Sequence, residues 1–225
     1  MDTASQRLGF HFDVMCPWAY QTSVWIREVR ARVPLQIDWR FFSLEEINRG
    51  EGKKHPWERE WSYGWGMLRV AALLRRRSME DCDRFYEAAG RALHVEGRKP
   101  HRPEVARELL ADLGLDPALV DEAIADPSTH DDVRGDHDAA VAAGGFGVPT
   151  LVFDDASHLY GPVITPAPTG DDAVALWELV SATRRFPHLY ELKRPKSDAD
   201  VAHIADQFAP YLNARDWETR ERPAR

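Results

Sequence analysis

The chain has 225 residues, 44% hydrophobic and 29% charged, with a formal net charge of −8, enough for one sizeable core or a core carrying an insertion. The acidic balance argues against nucleic acid or anionic membrane as main partner, since both attract cations, and no apolar run approaches the roughly 20 residues that span a bilayer. The start, MDTASQRLGF, lacks the basic and apolar stretches of a secretory signal, so a cytoplasmic setting is expected.

Leu8 to Val14 alternates apolar and polar residues and reads as a strand. Cys16-Pro17-Trp18 follows, and apolar residues at Trp18, Thr22, Trp25, Ile26 and Val29 recur at helical spacing. Pro17 suits the first turn of that helix, where its missing N–H costs nothing. Pro34 closes it, and Leu35 to Phe41 alternates again as a second strand. Strand, helix, strand is a βαβ unit, expected to be parallel and right-handed. Between about His55 and His137 the apolar residues recur only at three and four, which predicts several helices with no strand between them. Turn chemistry divides these helices at 97–103, at 114–117 (with Asp116 and Pro117 as a helix start) and at Asp126-Pro127. Thr150 to Phe153 and His158 to Tyr160 then read as a hairpin. A last helix opens at Thr169, with Thr169 as cap and Asp171 and Asp172 at its positive end. Beyond Lys193 the chain turns polar, and 213–225 reads as a frayed end.

This order predicts an α/β chain: a small mixed sheet interrupted by helices. The expected division is a discontinuous domain of residues 1–50 and 140–195, a helical insertion at 51–139 and a C-terminal extension at 196–225.

The chemistry centres on Cys16, where a strand ends and a helix begins. Unpaired N–H groups at a helix N-terminus favour thiolate over thiol and lower a cysteine pKa from about 8.5 toward roughly 3.5 to 7.5. Cys16 is therefore the candidate nucleophile, with Pro17, Trp18 and Ala19 around it; the alternative is a small buried hydrophobe. Gly147-Val148-Pro149-Thr150 opens the late strand. A cis Pro149 facing the thiol would leave the Val148 backbone free to pair with an extended substrate, although trans is the usual state of X–Pro bonds. Trp57, Trp61, Tyr63 and Trp65 read either as packing of the insertion or as a wall of an apolar pocket above Cys16 for a flat aromatic substrate. Cys82, flanked by Asp81 and Asp83, reads as structural. With two cysteines, a disulfide in a reducing compartment is not expected. His130, Asp131, Asp132, Asp136, His137 and Asp138 read as a solvated polar face rather than a metal cluster, and Arg75 to Arg77 as a solvated helix end.

Cys16-Pro17-Trp18-Ala19 after the first strand and Gly147-Val148-Pro149-Thr150 opening a late one resemble the DsbA-like branch of the thioredoxin superfamily. Trp65-Gly66, Arg69-Val70-Ala71, Gly161-Pro162-Val163, Leu176-Trp177 and the stretch Phe186 to Arg194 resemble, more specifically, the actinobacterial mycothiol-dependent nitroreductase group. The resemblance implies a thioredoxin fold, a mixed four-stranded sheet with an inserted all-helical domain. It also implies a cis bond before Pro149, a reactive thiol at Cys16 and a homodimer; no tightly bound cofactor and no metal are expected. Mycothiol or another low-molecular-weight thiol would be cosubstrate, with an aromatic substrate or a protein thiol as further partner. Ala19 departs from the group's Cys-Pro-Trp-Cys pattern, so the sulfur that resolves a mixed disulfide within a dithiol is missing. A monothiol cycle through Cys16 is the expectation. Two other readings remain: an isomerase or S-transferase resembling 2-hydroxychromene-2-carboxylate isomerase, and a redox-inactive module that captures peptides.

Overall fold

The structure is a computed structural model and describes residues 6–59 and 62–215. Strands β1 (Gln6–Phe12) and β2 (Leu35–Phe41) are parallel and joined through helix α1 (Pro17–Arg30). Strands β3 (Thr150–Phe153) and β4 (His158–Tyr160) form the hairpin, with β3 antiparallel to β1, giving the order β2-β1-β3-β4. Between β2 and β3 lie α2 (Leu44–Ile47), a 3-10 turn (Pro56–Glu58), α3 (Tyr63–Arg77), α4 (Met79–His94), α5 (Pro103–Asp112), α6 (Leu119–Ala125) and α7 (Ser128–Ala142). After the hairpin come α8 (Gly170–Ala182) and α9 (Asp198–Ala214). No described helix is long and apolar enough to cross a membrane.

Register explains the core. Leu8, Phe10 and Phe12 pair with Ile37, Trp39 and Phe41, and Leu8 and Phe10 also oppose Phe153 and Leu151. Residues opposite one another share a face, so these rings and branched chains form one continuous apolar ladder. Tyr86 of α4 stacks on Phe12 at 3.9 Å, Trp177 of α8 packs on Phe153, and Trp25 of α1 packs on Trp177. Gly9 sits on the other face, where Arg40 lies across it: a Cβ there would meet the guanidinium carbon at 2.8 Å.

The helical segment shares its core with the sheet. Leu68, Phe85, Leu109 and Leu119 belong to the same buried cluster as Leu8, Phe10 and Trp25. At Gly90 in α4 a Cβ would fall 2.5 Å from the Tyr20 ring, so glycine is what lets α4 approach α1. Arg27 and Arg30 of α1 both pair with Asp83 of α4 at 2.7 Å.

Several local expectations are corrected. The polar 196–225 stretch contains a 17-residue helix, α9, opened by a capping box between Ser197 and Asp200; Asn213 lies inside it, and residues 216–225 fall outside the described residues. Thr169 precedes α8, but its side chain caps nothing; the Gly170 N–H is satisfied by Glu28 from α1 at 3.0 Å. Helix α6 starts at Leu119, with Asp116 accepting from the Ala118 N–H in the preceding turn. The acidic and histidine-rich face of α7 is more than solvated surface: Asp136 accepts from the Phe41 N–H and from Arg75, and buried His137 accepts from the Ser43 N–H. Helix α7 thereby closes the open edge of β2, which a carboxylate and an imidazole can do because an edge strand leaves N–H groups unpaired. Arg75, Arg76 and Arg77 likewise pair with Asp136, Asp132 and Glu122.

Candidate functional site

The parallel pair β1 and β2 ends, and the antiparallel β3 begins, at the same end of the sheet. The segments just outside those strand ends are therefore neighbours: 13–16, 42–47 and 148–149. Asp13 turns the chain there. Its carbonyl accepts from the Cys16 N–H at 3.0 Å, and its carboxylate accepts from the N–H of Met15 at 2.9 Å and of Leu44 at 2.7 Å. Cys16 is then the N-cap of α1, with Pro17 in the first turn. The Ala19 N–H donates to the Cys16 Sγ at 3.4 Å, and the thiol donates to the Val148 carbonyl at 3.6 Å. The Val148–Pro149 peptide is cis.

Cys16 shares a small buried cluster with Ala19, Phe42, Ala140 and Val148, edged by Trp18, Leu44 and Ile47. It is 6% exposed, and Ala19, where the dithiol pattern has its second sulfur, is fully buried. The expected thiolate is not the resting state. Burial pushes the Cys16 thiol up to about 12, against the opposing pull of the Ala19 N–H, and the charge of Asp13 adds to the rise. One hydrogen bond from a helix N-terminus is worth less to an anion than the water that this packing removes. The Val148 carbonyl, expected to be free for a substrate strand, is occupied by the thiol itself.

The aromatic residues divide. Trp18 stands beside Cys16. Trp57 and Trp65 pack on each other at 5.2 Å, and their further contacts run to His55, His130 and Arg134: the Trp65 indole donates to His130 at 2.8 Å, and Arg134 lies over Trp57. Tyr63 meets His101 edge to face. The structure thus groups Trp57, Tyr63 and Trp65 with the larger core rather than with the cluster around the thiol. Trp61 lies outside the described residues. What surrounds Cys16 instead is Phe42 after β2 and Ala140 on α7, neither of which stands out in the sequence. Asp13 was legible as a candidate in principle, being an acid three residues before the cysteine at a strand end.

Helix α4 contributes His94, whose Nε2 meets the Val14 carbonyl at 2.8 Å and whose ring stacks on Tyr20. Burial lowers its pKa to about 4, so it is a neutral support for the 13–16 turn. Cys82 is fully buried in the main core, its thiol also raised to about 12 by burial, and both cysteines are unpaired. No group of three or more His, Cys, Asp or Glu that could hold a metal ion occurs among the described residues.

Residues 15–194 match the sequence profile of the Rv2466c-like family, described as mycothiol-dependent nitroreductase Rv2466c. The chain belongs to this family. Its match ends just before α9. An uncharacterized protein of Mycobacterium tuberculosis, Rv2286c, is 59% identical over 210 residues, 93% of this chain and 91% of that protein. Among solved structures, the cytosolic disulfide reductase DsbM from Pseudomonas aeruginosa with GSH is similar at a TM-score of 0.57 and 18% identity, over 78% of this chain and 99% of DsbM. A 2-hydroxychromene-2-carboxylate isomerase is similar at a TM-score of 0.58 and 16% identity, over 80% and 95%. At these identities the two structures show a shared fold, the DsbA-like thioredoxin fold. The family makes this nitroreductase relative a thiol-disulfide oxidoreductase-like enzyme.

Proposed function

We propose that the protein is a monothiol oxidoreductase in which Cys16 exchanges with the disulfide of a low-molecular-weight thiol, mycothiol being the candidate that the family name supplies. The observation that carries this reading is the seat of Cys16: its sulfur caps α1, bonded to the Ala19 N–H, and faces the Val148 carbonyl beside Pro149. In the first step the Cys16 thiol loses its proton, and the sulfur attacks one sulfur of a disulfide RS–SR′. The Cys16–S–SR bond forms, the S–S bond of the substrate breaks, and R′S⁻ leaves and takes up a proton. In the second step another RS⁻ attacks the outer sulfur, releasing RS–SR and restoring Cys16. The net change is RS–SR′ + RSH → RS–SR + R′SH: the R′ sulfur is released as its thiol, and the incoming RSH takes its place in the disulfide. Ala19 makes the second thiol external, because no neighbouring sulfur can displace the adduct.

Trp18, Pro17, Val148 and Pro149 would line the approach to the sulfur. Trp57, Tyr63 and Trp65 support the α3 side of the molecule in this reading. A cytoplasmic location, a homodimer and an aromatic or protein-thiol substrate belong to the same proposal; the unpaired state of both cysteines fits a reducing compartment.

The test is intact mass after incubation with a mixed or oxidised small-thiol disulfide. Wild type is expected to gain one thiol adduct, mapped to Cys16, and Cys16→Ser to gain none. A wild type that never acquires the adduct under conditions that expose Cys16 would end the proposal. A second reading draws on the neutral state of the thiol: Cys16 would donate its hydrogen bond to a bound thiol without forming a bond to it, as an isomerase or S-transferase could use. Turnover retained in Cys16→Ser would favour that reading.

A further inference from the structure

Trp18, two residues after the thiol, is covered by a segment that the family match does not include. Helix α9 places Phe208 edge to face on Trp18, with ring centroids 4.7 Å apart at 83°. One turn on, Tyr211 packs on His94 at 5.1 Å, the same His94 that holds the Val14 carbonyl two residues before Cys16. Between them the Pro210 carbonyl lies where a Cβ at Gly97 would sit 3.4 Å away, and Gly97, at φ +66°, follows the end of α4. Phe208 is buried, as is Ala214 toward the helix end.

The remainder of α9 is held loosely. Apart from half-buried Ile204, residues 198–207 are exposed, and 186–197 is an exposed stretch without helix or strand. Twelve residues of extended chain can span up to about 40 Å, so the tether does not by itself fix the helix in place. One short apolar face, centred on two rings, docks the helix against α4 and the start of α1. A segment with few buried contacts and a long exposed tether is the kind that opens locally while the rest stays folded.

We propose that α9 is an intramolecular lid on the thiol site: Phe208 covers Trp18 and Tyr211 covers His94, the side chains that flank the 13–18 turn, and the site admits its substrate when this helix lifts away on the 186–197 tether. The proposal rests on Cys16 being the exchanging thiol, and it accounts for a cysteine that caps a helix, as a nucleophile should, yet is sealed at rest. Lifting the helix returns water to Trp18 and the sulfur, while the Ala19 N–H stays in place to hold a thiolate.

The test measures access rather than turnover. Full-length wild type, Phe208→Ala/Tyr211→Ala and the exposed-face control Leu212→Ala are alkylated with iodoacetamide, and the rates at Cys16 and Cys82 are read separately by peptide mass. The double variant is expected to raise the Cys16 rate about tenfold or more, because the open population follows the docking free energy. The Cys82 rate should stay at the wild-type value, and Leu212→Ala should match wild type at both. Phe208→Leu, which keeps an apolar side chain on Trp18, should fall between. An unchanged Cys16 rate in the double variant overturns the lid. A parallel rise at Cys82 overturns it too, because α9 would then be ordinary core packing whose loss loosens the whole chain. Failure of adduct formation with a faster Cys16 alkylation would instead strike the proposed chemistry and leave the lid standing.

Discussion

Asp13 is fully buried between two backbone donors, and burial dominates its titration: its carboxyl is raised from 3.8 to about 7, although the Leu44 and Met15 N–H groups oppose the rise. The folded protein therefore keeps this proton up to about pH 7, whereas the unfolded chain gives it up near 3.8. Between those values folding takes up a proton, so the stability contributed by the protonated form is complete below 3.8 and is lost as pH rises through about 7. Asp13→Asn should be less stable than wild type, because its amide nitrogen must face one of the two donors. Its deficit should shrink with rising pH between 5 and 7, by on the order of 1 kcal/mol per pH unit. Urea unfolding of both proteins across that range checks this; a gap that stays constant would mean Asp13 is ionised throughout. The charge that appears above pH 7 also sits beside Cys16 and opposes its ionisation.

Helix α3 shows how one element is secured by another. Its N-cap, Ser62, makes no side-chain cap bond, yet the helix begins cleanly at Tyr63. The caps come from Glu45 in α2, whose carboxylate accepts from the N–H groups of Tyr63, Gly64 and Trp65 at 3.3, 3.1 and 2.9 Å. A carboxylate at a helix N-terminus satisfies orphan donors and meets the positive end of the dipole. Glu45→Ala should cost about 1–2 kcal/mol, read by chemical denaturation, and Glu45→Gln should cost less because it keeps an acceptor while losing the charge. An Ala variant as stable as wild type would show that water replaces the carboxylate at no cost. The same bond ties the start of the helical segment to the 42–47 turn that closes over Cys16.

Across the whole molecule, the helical segment and the sheet are joined through Asp83. Its carboxylate is 8% exposed and pairs with Arg27, 10% exposed, and with Arg30. Arg27 also lies over the rings of Trp39 and Tyr86, so it touches the sheet and α4 at once. Removing the carboxylate leaves a nearly buried guanidinium without its anion, and Asp83→Ala should destabilise the protein by about 3 kcal/mol. Because one apolar cluster runs through sheet and helices, unfolding should remain a single transition when followed by tryptophan fluorescence and by far-ultraviolet circular dichroism. Separate midpoints for the two probes would show that the helices fold as an independent unit.

Much of this architecture is written in local pattern. Alternation from Leu35 to Phe41 marks β2 residue for residue, Pro17 marks the first turn of α1, and the 150–160 hairpin follows from its turn residues. Period and turn chemistry act over a few residues, so sequence alone determines them. Cys16 as a helix cap belongs to the same class of information. What lies against that cap is decided by residues 26 to 192 positions away: Phe42, Ala140 and Val148 around the sulfur, and Phe208 on Trp18. Helix α9 carries its own local signals, the Ser197 cap and an apolar row at Val201, Ile204, Phe208 and Tyr211, set among polar residues and interrupted by Pro210; only the fold decides what that row covers. The ionisation of Cys16 is likewise decided by the fold. A helix N-terminus is a local field that sequence reveals, whereas desolvation is the sum of every chain segment that excludes water from one atom, and that sum exists only once the chain has folded.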